Sequence, residues 1–149
     1  MVVDLQENFT EEQRESLYQK IQAMTVAAKL RLALVANREA RNFLVHDANK
    51  MISLAVLRNR RVTETEIWQY AQRRELSEDV IAAIARDPKW KKNYGIRLAL
   101  VNNPKTPMSM AVSILPHLQD RDLKSVSRDK GVSSLLSRKA REVLRTRSK

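Results

Sequence analysis

Leu98-Ala99-Leu100-Val101-Asn102-Asn103-Pro104-Lys105-Thr106-Pro107 reads as the end of one helix and the start of the next. A small residue at 99 lets a neighbouring helix approach one turn before the end, and Leu100 beside it fills a core. Asn103 tolerates the left-handed or turn conformation that stops a helix, and Pro107 suits the first position of the helix that follows. The same order of small residue, aliphatic residue and then Asn or Asp before a proline or a base occurs four more times. The copies are Ala33-Leu34 to Asn37-Arg38, Ala55-Val56 to Asn59-Arg60, Ala83-Ile84 to Asp87-Pro88 and Ser125-Val126 to Asp129-Lys130. The small positions are spaced by 22, 28, 16 and 26 residues. Their average of 23 is about one helix, a shorter helix and two turns, so the chain is expected to be a row of stacked helical units.

Composition agrees. Two glycines, four prolines, 5% aromatic and 43% apolar residues in 149 favour helices over strands, and the length is that of one domain. The absence of cysteine excludes a disulfide, a thiolate nucleophile and any Cys-ligated metal or cluster. Unbroken aliphatic runs such as Leu32–Ala36 and Ile81–Ala85 are far shorter than the ~20 residues that span a bilayer. Asp4 and Glu7 stand where a secretory signal would carry bases, so a bacterial-type cytoplasm is expected.

Local signals place the helices. Thr10 with Gln13 makes a capping box that opens a helix through about Ala36, with Leu17, Ile21, Met24, Ala28, Leu32 and Val35 as one buried stripe. Shorter helices are expected over 38–45, 50–58, 64–73, 78–86, 89–102, from Pro107 to Pro116, 120–128 and 133–147, with Thr63 and Ser77 as N-caps.

The stretch from Leu98 to Pro107 resembles the helix-end signature of the leucine-rich-repeat-variant and HEAT-like α-solenoids. The pattern covers roughly residues 30 to 145, with prolines missing from most copies. The resemblance implies one all-α domain over residues 1–149, a right-handed α-α superhelix of about nine helices. Residues 1–36 would be an N-terminal capping helix, 37–147 the repeats and 148–149 a tail. It also implies a concave surface, used elsewhere in such folds for proteins and, in the HEAT-like alkylpurine glycosylases, for DNA. Variant-repeat proteins can carry a cysteine-ligated iron–sulfur module, which this chain cannot.

Charge points to where a partner would sit. There are 28 Lys and Arg against 17 Asp and Glu, a net of +11. Residues 1–20 hold 2 bases and 5 acids, a net of −3, and residues 104–149 hold 11 bases and 4 acids, a net of +7. Arg121, Lys124 and Arg128 step by 3 and 4 along one expected helix, and Arg138, Arg141 and Arg145 repeat that spacing on the next. Two such stripes would attract phosphate or an acidic protein helix, with salt-sensitive affinity, although a charge run is also how a small protein stays soluble. Arg58, Arg60 and Arg61 at a repeat turn, with Lys89, Trp90, Lys91 and Lys92, form a possible second patch; the ring among cations is a mixture that nucleic-acid binders use. Trp68, Tyr70, Trp90 and Tyr94 also fit a plain packing role.

Catalysis finds little support. His46 and His117 are 71 residues apart without companion ligands, two glycines cannot build a phosphate loop, and Asp87 near Trp90 is the only carboxylate and ring that suggests a glycosylase-like pair. The expectation is a non-catalytic helical-repeat module without cofactor or metal, acting as a protein-interaction scaffold. The alternative is a DNA-binding solenoid.

Overall fold

The computed structural model describes residues 9–149. These residues are helical with no strand among them. The eleven α-helices are α1 (Glu11–Gln22), α2 (Val26–Val35), α3 (Arg38–Leu44), α4 (Lys50–Val56), α5 (Glu64–Gln72), α6 (Glu78–Arg86), α7 (Pro88–Lys91), α8 (Tyr94–Asn102), α9 (Met108–Ile114), α10 (Asp120–Arg128) and α11 (Ser134–Arg147). A single 3₁₀ turn spans Leu115–His117. The difference from about nine arises because two expected helices are each divided by an internal N-cap. Thr25 accepts from the Ala28 N–H at 3.2 Å and starts α2, and Asn93 accepts from the Ile96 N–H at 3.0 Å and starts α8. Apolar spacing runs on unbroken through the first division, which is why periodicity alone hides it. The stripe does not stay buried: Ile21 is sealed, whereas Met24 is 38% and Val35 66% exposed.

The chain groups into two compact units, one ending at Val62 and one running from Thr63 to Lys149. Part of the expected 1–36 cap, including Asp4 and Glu7, lies outside the described residues. In the first unit α1 packs on α3, with Tyr18 and Phe43 stacked at 4.5 Å, and α2 lies beside α4. In the second unit α5 lies beside α8, and α10 is the main partner of α11. Gly95 permits the close approach of α8 to α5, since a Cβ there would stand 3.4 Å from the Trp68 indole and 3.2 Å from the Asn93 side-chain oxygen.

All five repeated signatures fall at helix ends, those of α2, α4, α6, α8 and α10. Of the two conformations expected there, left-handed or turn, the structure has the turn, because no described residue has a positive φ. The Asn or Asp side chain makes the turn. Its Oδ1 accepts a backbone N–H two residues on at Asn59, Asp87, Asn103 and Asp129, at 2.7 to 2.9 Å, and three residues on at Asn37, at 3.0 Å. The neighbouring positions are less uniform. Ala33, Ala55 and Ala99 are buried, Ala83 is half-buried and Ser125 exposed. Leu34, expected in the core, is 46% exposed.

Two of these residues do more. The Asn59 Nδ2 donates to the Ala33 and Ala36 carbonyls at 3.0 and 3.1 Å, and the Asn103 Nδ2 donates to the Ala71 and Arg73 carbonyls at 2.7 and 3.1 Å. Each thus ties the end of its own helix to the end of the helix packed beside it, α4 to α2 and α8 to α5. Both pairs are thus joined at their C-terminal ends.

Candidate binding surface

Helices α10 and α11 form an antiparallel pair. Arg147, near the end of α11, reaches the start of α10, with Nη1 2.6 Å from Asp120 Oδ1 and Nη2 donating to the Pro116 carbonyl at 2.8 Å. Farther along, Ser137 Oγ donates to the Val126 carbonyl at 3.3 Å, and Arg141 Nη1 donates to the Ser127 carbonyl at 3.0 Å. Leu123, Val126, Leu136 and Ala140 are buried. That seals one face of each helix and turns the other outward.

The outward face of α10 is basic. Arg121, Lys124 and Arg128 are exposed and, with Ser125 and Asp129, line an open concavity of about 690 Å³. The carboxylates nearby are engaged. Asp120 pairs with Arg147, Asp129 accepts the Gly131 N–H, and Glu142 on α11 lies 3.4 Å from Lys139. Asp122 accepts a very short hydrogen bond from the Tyr94 hydroxyl and lies 3.7 Å from Arg121, whose side chain is 81% exposed. Lys124, Arg128, Arg138 and Arg145 make no side-chain ion pair or hydrogen bond among the described residues. Their field therefore faces solvent.

Of the second stripe, Arg141 is committed to the end of α10, where its guanidinium satisfies a helix-terminal carbonyl. Arg138 and Arg145 stand exposed on α11 and do not line the α10 concavity. The other basic groups belong to different units. Arg58 and Arg60 are exposed in the first, and Arg61 donates to the Val35 carbonyl at 3.2 Å. In the second unit Lys89, Lys91 and Lys92 are exposed, whereas Trp90 is only 2% exposed, with Lys89 Nζ 4.6 Å from its ring centroid. The ring proposed for stacking is thus a core ring, because α7 is a single turn whose one apolar large residue must face inward. Asp87 is likewise occupied, as the cap of that turn. Trp68, at 40%, is the exposed indole, and its helix begins with Glu64 and Glu66 rather than bases.

Sequence reasoning missed Tyr94. Its hydroxyl donates to Asp122 and accepts the Gln119 N–H at 3.0 Å, fixing α8 to the start of α10 and so aiming the basic row. Nothing local signals a contact across 28 residues. Burial, and then the bond to Asp122, push the Tyr94 phenol above its ordinary value of 10.0, against smaller opposing effects of the Gln119 N–H and Arg121. A pKa raised on folding favours the protonated state in the native protein. This stabilisation is complete below the unfolded value near 10 and is lost as pH rises through the higher folded value. The stability gap between wild type and Tyr94→Phe, from thermal melts, should hold level up to about pH 10 and close above it. A gap unchanged through that range would overturn the assignment.

Comparison of the chain with protein-family models, with curated proteins and with solved structures gives no match.

Proposed function

We propose that this chain is a non-catalytic helical-repeat binding module, of the HEAT-like or variant-repeat kind, that holds an acidic protein segment on the basic face of α10 and α11. The observation that carries this reading is the α10 row. Arg121, Lys124 and Arg128 line one open concavity together with Asp129, while Asp120 pairs with Arg147 and Asp122, 3.7 Å from Arg121, accepts from the Tyr94 hydroxyl. A partner bearing carboxylates at helical spacing would meet three cations on about two turns, in a setting where complementarity governs encounter rate and selectivity. Exposed apolar side chains elsewhere, Val26 and Val35 on α2 and Met51 on α4, supply the non-ionic surface that a scaffold uses. No helix of the described residues is long and apolar enough to cross a membrane. The proposed setting is a bacterial-type cytoplasm.

A nucleic acid is the second reading, favoured by the same row, since phosphates satisfy cations as carboxylates do. No aromatic ring lines the concavity, which counts against single strands, where base stacking contributes about 1–3 kcal/mol per base. Duplex binding through three phosphates would show a log–log salt slope of about −2.7.

The deciding experiment is fluorescence anisotropy with a labelled glutamate-rich helical peptide, a duplex, a single strand and an RNA at two salt concentrations. The peptide is expected to bind best, and Arg121→Glu/Lys124→Glu to weaken it at least tenfold without changing the circular dichroism. Preference for the duplex with the slope above would replace the protein reading. Failure of every probe at low salt would remove the basic face as a binding surface.

A further inference from the structure

The chain carries at its other end the kind of surface that the α10 row would recognise. Residues 1–20 have a net charge of −3. On α1, Glu11, Glu12 and Glu15 are exposed, and Glu12 and Glu15, one turn apart, have no side-chain partner among the described residues. With a rise of 1.5 Å per residue, this acidic group covers about 6 Å and the row from Arg121 to Arg128 about 10 Å. The acids therefore fit within the row.

We propose that the basic row on α10 receives α1 of a second copy, so that the chain assembles head to tail. The inference rests on the reading of α10 as a binder of acidic protein segments and names one such segment. The overall charge of +11 opposes self-association. At physiological salt, however, charges farther apart than about 8 Å are largely screened, so the local pairing of opposite signs decides. The giving and receiving surfaces differ, so the contact is heterologous, and each copy can both give and receive. Exposed ion pairs are individually weak, which makes the assembly dependent on concentration and salt.

Sedimentation of the full chain tests it with two charge-reversed variants, Glu12→Lys/Glu15→Lys and Arg121→Glu/Arg128→Glu, their folding checked by circular dichroism. At physiological salt the wild-type average mass should rise with concentration to twice the monomer value or more, and return to monomer at high salt. Each variant alone should stay monomeric, because both of its surfaces then carry one sign. An equimolar mixture should associate again, since each variant complements the other at both contacts. If charge reversal perturbs folding, Glu12→Gln/Glu15→Gln should still lower the association at least tenfold. Wild type that stays monomeric at physiological salt, single variants that still associate, or a mixture that stays monomeric would each overturn the proposal. Binding of the glutamate-rich peptide by a wild type that stays monomeric would leave the acidic-partner reading standing and remove only the self-assembly.

Discussion

Changing Asn103 to Asp is expected to lower stability by about 2–6 kcal/mol, although the two side chains have nearly the same shape. The Asn103 side chain is 4% exposed, and its amide satisfies the Ala71 and Arg73 carbonyls while its oxygen receives the Lys105 N–H. The substitution keeps the oxygen and removes both donors. Each orphaned buried acceptor costs roughly 1–3 kcal/mol, and a carboxylate directed at two carbonyl oxygens adds repulsion and a desolvation penalty. Total stabilities are typically about 5–15 kcal/mol, so one atom exchange removes a large share. Asn59→Asp should behave alike, because Asn59 makes the matching contacts with Ala33, Ala36 and Arg61. The adjacent Asn102 is exposed, and Asn102→Asp should change stability by less than about 1 kcal/mol. Urea midpoints would decide; equal midpoints for Asn102→Asp and Asn103→Asp would refute the role of the buried amide.

Trp90→Ala should cost about 3–5 kcal/mol, the usual range when a buried large ring is truncated and the surroundings close only partly. If Trp90 were instead a stacking platform, the loss would appear in nucleic-acid affinity with the fold intact. Lys89→Ala separates the ring from the cation above it, and should cost at most about 1 kcal/mol. Measuring midpoints and peptide affinity for Trp90→Phe, a gentler change, would expose an error: a strong loss of affinity at near wild-type stability would return Trp90 to the binding surface.

Helix ends were the legible part of this sequence because their signals are local. A side-chain oxygen and an amide two or three residues away need no tertiary context, so Asn37, Asn59, Asp87, Asn103 and Asp129 all mark ends. Thr25 and Asn93 were missed because apolar spacing continues past them, and a period-3.6 pattern cannot report a change of helix direction. The basic row was visible in the 3 and 4 spacing of Arg121, Lys124 and Arg128. What the row lacks was not visible. That Arg141 is spent on a helix end, that Trp90 is covered and that Tyr94 anchors Asp122 all depend on residues brought together from elsewhere in the chain.

The buried asparagines also determine how this protein should age. Deamidation proceeds through attack on the side-chain amide by the backbone nitrogen of the next residue, which expels ammonia and leaves a succinimide; water opens it to aspartate or isoaspartate, and both lack the two amide donors. Asn103 is followed by Pro104, whose nitrogen carries no hydrogen to lose, so that route is blocked. Asn59 is followed by Arg60, an ordinary amide, and has no such chemical shield. The two joints, equivalent in geometry, therefore differ in shelf life: deamidation can break the α4 joint at Asn59, whereas the α8 joint at Asn103 is closed to it.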